Sequence, residues 1–173
     1  MTKVHWRRVG VCTALCLGSL AVPFATPVAA ADHLSLHGTF RETATGGSRG
    51  YNISGSAKLT IEIGATTATV NIAGLDPTKT YGSHLHNGTC ASGGGGHYQN
   101  SAGGPTTPPN ELWLSSTDNP LGGLIPNKGG VAHGEGTSTW AARIDSTTLT
   151  NARSIVVHEP VPGGPRIACA DLT

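Results

Sequence analysis

The feature that most limits the fold of this chain is a two-residue alternation of apolar and polar side chains, broken at short intervals by glycine and proline. Leu59, Ile61 and Ile63 alternate with Lys58, Thr60 and Glu62. After Gly64-Ala65, the residues Ala68, Val70 and Ile72 alternate with Thr67, Thr69 and Asn71. Side chains of an extended chain point to opposite faces in turn, so both runs read as half-buried strands joined in a hairpin. Leu34, Leu36 and Gly38 share one face of an earlier strand, with His33, Ser35 and His37 turned to water. Residues 81–86, 131–144, 154–158 and 166–172 are further extended candidates, with 154–158 buried. Trp140 is expected as a core or edge aromatic and His133 as exposed. Gly46-Gly47-Ser48-Arg49-Gly50 reads as a turn, and Leu75 is free to plug an end of the sheet packing. No stretch sustains a helical period, and one methionine stands against 25 glycines. The pattern predicts an all-β sandwich or barrel. Residues 92–110 are rich in glycine and proline without periodicity, and a loop of that length in a compact domain is usually functional.

The first residues are set apart. A basic start (His5, Arg7, Arg8) precedes an apolar run over 9–24 and a small-residue stretch ending at Ala29-Ala30-Ala31. Residues 1–31 are expected to be a secretory signal peptide, with an apolar run too short for a membrane span. Residues 32–173 then form one domain with eight basic and ten acidic residues, a net charge of −2. That balance offers no basic patch for nucleic acid and no polybasic membrane anchor. The expected location is secreted, either extracellular or associated with the cell envelope. Cys12 and Cys16 lie in the removed segment. Cys90 and Cys169 remain and invite a single disulfide, closing a loop of roughly 80 residues and contributing about 4 kcal/mol in the chain-entropy model. The sequence leaves monomer and homodimer open.

Chemistry concentrates between residues 81 and 97. His84 and His86 are one residue apart, so on a strand both imidazoles point the same way and make half a metal site. The run Gly93-Gly94-Gly95-Gly96 permits positive φ, which lets the chain fold back and present His97 to the same point. His158 ends the buried strand 154–158. Neutral imidazoles suit copper and zinc, and copper binds more tightly at a given nitrogen site.

Four segments in order resemble the successive signatures of copper/zinc superoxide dismutases: Ala-Thr-Val-Asn-Ile-Ala-Gly-Leu-Asp-Pro at 68–77, Tyr-Gly-Ser-His-Leu-His at 81–86, Ser-Ile-Val-Val-His-Glu at 154–159 and Gly-Pro-Arg-Ile-Ala-Cys at 164–169. Each is weak alone; their order is specific and spans nearly all of 32–173. The resemblance implies a Greek-key β-sandwich or flattened barrel of about eight antiparallel strands. It implies that His84, His86, His97 and His158 bind one copper ion. It also implies that Arg166 guides and holds the superoxide anion, and that Cys90 pairs with Cys169, which helps place the arginine. In such enzymes copper cycles between Cu(II) and Cu(I), turning superoxide into oxygen and hydrogen peroxide, while the residue matching His97 releases the metal on reduction and takes a proton.

Two departures point to the copper-only branch of that family. Zinc-binding members carry two more histidines and an aspartate in the loop after the residue matching His97. Here that loop holds no histidine, and only Glu111 stands near the place of the aspartate. One imidazole and one carboxylate cannot fill a tetrahedral zinc site, so no zinc is expected. The segment between His158 and Arg166 is also short, without the charged loop that shapes the usual channel. With zinc missing, Glu111 is expected to accept a hydrogen bond from the far nitrogen of His97 and so orient it. Glu159 is expected to point away from the metal. The competing reading is a secreted copper-binding or buffering protein with little turnover; Arg166, unnecessary for storage alone, argues against it. A zinc hydrolase is disfavoured because four histidines leave zinc no open position.

Overall fold

The alternating segments fold as two four-stranded antiparallel sheets in a computed structural model, which describes residues 33–119, 123–140, 153–159 and 164–173. The strands are β1 (His33–Thr39), β2 (Arg41–Glu42), β3 (Ser54–Glu62), β4 (Ala65–Ala73), β5 (Gly82–His86), β6 (Ala132–Ser138), β7 (Ser154–His158) and β8 (Arg166–Asp171). One sheet runs β1-β3-β4-β6 and the other β2-β8-β7-β5. The segment assigned to a signal peptide lies outside the described residues. No helix among those described is long and apolar enough to cross a membrane.

Period-two patterning decides what lies between the sheets. Leu59 and Ile61 from β3 and Ala68, Val70 and Ile72 from β4 meet Leu85, Ile155, Val157 and Ile167 of the second sheet in one apolar core. Leu75 is 4% exposed and closes one end, as its place after the strand suggests. The β3–β4 hairpin differs at its tip. Glu62 pairs with Ala65, so Ile63 and Gly64 are the two turn residues. Ile63 therefore leaves the pleat and is 83% exposed instead of continuing the buried face. Gly64, at φ +85°, takes the left-handed conformation that such a tight turn requires.

Residues 46–50 also depart from a plain turn. Thr43 accepts a hydrogen bond from the Gly46 amide at 3.1 Å and caps a one-turn helix, α1 (Ala44–Ser48). His33, His37 and His133 are exposed. Of the stretch 131–144, residues 131–140 are described, and within them 132–138 form the strand; residues 141–152 lie outside those described. Trp140 is half-buried beside Tyr98, with ring centroids 5.6 Å apart.

The second sheet carries the chemistry. Ser83 and Leu85 face the core side of β5, so His84 and His86 share its other face. The free edge of β5 is covered by the long loop. Gln99 bridges to Glu111, His97 to His86, Trp113 to His84, and Ser115 to Glu135 of β6. The loop thereby links the second sheet to the first and drops Leu112 and Leu114 into the core.

Leu59→Ala is expected to lower unfolding free energy by about 2–5 kcal/mol, because a fully buried side chain leaves a cavity. Lys58→Ala, on the exposed face of the same strand, is expected to change it by no more than about 0.5 kcal/mol. Urea denaturation of the two variants measures the contrast.

Candidate metal centre

Strand register brings three histidines together before any loop contributes. β7 pairs with β5 so that Gly82 opposes His158, His84 opposes Val156 and His86 opposes Ser154. His84, His86 and His158 thus stand on the outward face of one sheet. The fourth arrives by a reversal. A single 3-10 turn (Cys90–Ser92) leads into Gly93, Gly94 and Gly95 at φ +72°, +87° and +65°. Gly94 passes so close over β7 that a Cβ there would lie 2.8 Å from the Val156 side chain. Asn87 then fixes the returning strand, its side chain accepting from the Gly96 amide at 2.9 Å and its own backbone amide donating to the Gly96 carbonyl at 3.0 Å. The glycine run does what its composition suggests and delivers His97.

The four rings converge. One nitrogen from each of His84, His86, His97 and His158 can be chosen so that all lie within 4.8 Å of one another. Among the described residues this is the one convergent group of three or more such donors. Nε2 of His86 is 3.3 Å from Nε2 of His158. Ligand nitrogens about 2.0 Å from a shared ion, at angles near 90–110°, stand about 2.8–3.3 Å apart, so this spacing suits a common metal. Outer hydrogen bonds set the tautomers. His158 donates from Nδ1 to the Gly164 carbonyl at 2.9 Å, and His97 donates from Nδ1 to Glu111 Oε1 at 2.7 Å. His158, kept neutral by burial, then keeps a lone pair on Nε2, and the bond to Glu111 leaves Nε2 as the other ring nitrogen of His97. Nδ1 of His84 and of His86 is buried without an ordinary hydrogen bond. A cation at the shared point would meet His86 at Nε2, the nitrogen that faces His158, so it would not relieve the His86 Nδ1.

Electrostatics keep the buried rings neutral. Burial, followed by the adjacent imidazoles, pushes His84 down to about 2. Burial, then His158, His97 and Arg166, pushes His86 down to about 3. His158 is lowered chiefly by burial, with Arg166 adding to it. Neutral imidazole is the form that binds a metal, so these three rings are ready at any ordinary pH.

The surrounding groups are placed by the same elements. Arg166 opens β8, beside a register irregularity at Val157/His158, and its guanidinium donates to the Gly93 carbonyl. Cys90 and Cys169 form a disulfide with Cα atoms 5.6 Å apart, tying the 3-10 turn to β8. The Cys90 amide also donates to Asp171 Oδ1 at 2.7 Å. The segment carrying Gly93 is therefore anchored to the strand carrying Arg166. Glu111 is 2% exposed and accepts from His97, as its position in the sequence suggests. Glu159 points the other way, into ion pairs with Lys79 and, at 3.6 Å, Arg49. Burial alone would raise its carboxyl; Lys79 and Tyr51 outweigh that and hold it below the usual range.

Sequence reasoning missed several participants. Gln99 donates to Glu111 Oε1 at 2.8 Å and Trp113 Nε1 donates to Oε2 at 2.8 Å. The Trp113 ring also lies against His84, with centroids 4.9 Å apart. Glu111 and Trp113 are two residues apart, so the same-face argument used for His84 and His86 was available for them. The phenol pair of half-buried Tyr51 and buried Tyr81, 3.1 Å between hydroxyls, had no local signal.

No protein-family model matches the chain, and no curated protein matches it in sequence. With Cu(II) as the probe ion, His86→Gln is expected to weaken binding at the cluster by at least about 100-fold, more than loss of an outer hydrogen bond usually costs. His133→Gln, outside the cluster, is expected to leave it unchanged. Competition titration against a chelator of known affinity compares them.

Proposed function

We propose that the four imidazoles hold one copper ion and that the protein is an exported, copper-dependent superoxide dismutase without a zinc site. The observation that carries this reading is the convergence of four histidines beside Arg166. An all-nitrogen donor set without thiolate favours copper over the softer-ligand alternatives and over magnesium or calcium. Copper, when bound, supplies one-electron cycling, accepting an electron from one superoxide and passing it to a second.

The chain's own residues do the rest. Arg166 gives a small anion its electrostatic foothold, and its hydrogen bond to Gly93 restrains it. His97, tied at Nδ1 to Glu111, can hold a proton at Nε2 for the reduced product. That same bond occupies the nitrogen through which a second metal would bind, which supports a centre without zinc. The disulfide fits an oxidising compartment and supports export. The fold and the order of the site segments support the copper-only branch of the dismutase family.

Copper-loaded protein spanning 32–173 is expected to contain one copper and no zinc by elemental analysis, and to remove superoxide far faster than the same concentration of free copper. Stoichiometric zinc would overturn the copper-only reading. Tight copper binding with activity no better than free copper would favour a copper-holding protein instead. Arg166→Ala is expected to lower kcat/KM by about tenfold or more and to flatten its salt dependence, with copper content unchanged.

A further inference from the structure

Glu111 is unusual among the described carboxylates of this protein. Its side chain is wholly buried, and three donors close on it: His97 Nδ1 at 2.7 Å, Gln99 Nε2 at 2.8 Å and Trp113 Nε1 at 2.8 Å. An ionised carboxylate is an acceptor at both oxygens, so three donors suit it. Gln99 and His97 share Oε1, leaving Trp113 as the donor seen on Oε2. A carboxylate held at one oxygen alone can rotate; holding the second fixes its plane.

Trp113 has another contact. Its ring lies against His84 with centroids 4.9 Å apart and planes tilted by 30°. Its backbone is fixed too: the neighbouring Leu114 amide donates to Ser83 at 2.8 Å, and Leu112 accepts from the Leu85 amide at 3.3 Å. Both partners are on β5, flanking His84. Gly136 lies directly behind, where a Cβ would meet the Trp113 carbonyl at 2.0 Å. One indole thus reaches two histidines on different parts of the chain, His84 through its face and His97 through the plane of Glu111.

We propose that Trp113 is a positioning residue, which sets the orientation of His97 by fixing Glu111 and sets His84 by packing against it. The inference rests on the reading of the four histidines as a metal site. Its geometric half concerns the metal-free protein and can be tested without metal. Trp113→Phe keeps an aromatic face beside His84 and removes the N–H. Trp113→Leu removes both.

The test uses 15N-labelled protein spanning 32–173, first without metal. In the unmodified protein the His97 ring is expected as a single Nδ1–H tautomer, and the Trp113 indole proton as slow to exchange. Trp113→Phe is expected to leave the His84 ring signals near their original positions and to shift the His97 signals toward a mixture of tautomers. Trp113→Leu is expected to move both. With Cu(II), read by chelator competition, Trp113→Phe is expected to weaken binding by about tenfold. In Glu111→Gln protein the same change is expected to cost no more than about twofold further, because Trp113 acts through Glu111. Unchanged His97 signals in Trp113→Phe would overturn the proposal, as would full additivity with Glu111→Gln. If the variants do not fold, an indole proton that exchanges in the unmodified protein as freely as in an unfolded chain overturns it as well. Unmodified protein that shows the expected tautomer but binds no copper would instead sink the metal reading and leave the positioning of His97 established.

Discussion

Packing four imidazole rings against one another, three of them buried, is the constraint to which the rest of this structure answers. His84, His86 and His158 are 1%, 0% and 3% exposed. A buried ring nitrogen without a partner costs about 1–3 kcal/mol, and His84 and His86 each carry one. Protonation offers no relief, since a charge on one ring would be desolvated and would face the Arg166 guanidinium. Nothing in the chemistry of bare imidazoles favours this arrangement. The surrounding fold must impose it, and its features read as the means. β5 and β7 supply three rings on rigid paired strands, which leaves a single ring to be placed by a loop.

That loop is where order has to be built from outside. Between His86 and His97 the chain uses left-handed glycines, which gain flexibility in the unfolded chain and so are entropically costly to fix. The disulfide offsets part of that by tethering the 3-10 turn to β8, and Asn87 closes the base of the reversal. Further on, Asn110 knots the loop by donating to Ser101 and Pro105 and accepting from the Ser101 amide. Glu111 comes directly after it and takes up His97. The long segment is thus a sequence of side-chain clasps rather than a slack connection. Two of the clasps, the disulfide and Glu111, serve different members of the centre. Arg166 gains from the first and His97 from the second.

How far this was legible in the sequence depends on how local each signal is. The strands were readable because alternation is a nearest-neighbour property, and His84-x-His86 inherits its meaning from the same rule. His158 was readable from its place at the end of an apolar run. Ile63 was misjudged because alternation continues in the letters one step past the point where the backbone turns. The one-turn helix at Ala44–Ser48 was missed because Gly46 and Gly47 look like breakers, whereas Gly46 is there for its close approach to β8, where a Cβ would meet the Ile167 carbonyl at 2.2 Å. Trp113 and Gln99 needed a partner to be recognised: their importance lies in Glu111, and the sequence does not state that the three meet. The Tyr51, Tyr81, Lys79 and Glu159 cluster is more distant still. It closes through contacts such as Lys79 with Glu159, 80 positions apart, that no local pattern encodes.

The direction from which a small anion could reach the cluster is set by exposure and charge together. The His97 side chain is 22% exposed while Glu111 behind it is closed off, so the cluster opens on the side of His97 and Arg166. Beyond Arg166 lies a broad groove that also carries Arg41, Glu42 and Asp171, charges of both signs. The domain itself is net negative, with eight basic residues against ten acidic ones. Its long-range field therefore does not gather anions, and at physiological salt charges more than about 8 Å away are largely screened. Whatever attraction an anion feels must come from within that distance, and Arg166 is a cation placed there. The Arg166 guanidinium, beside the open face of the cluster, gives a small anion a contact within that distance.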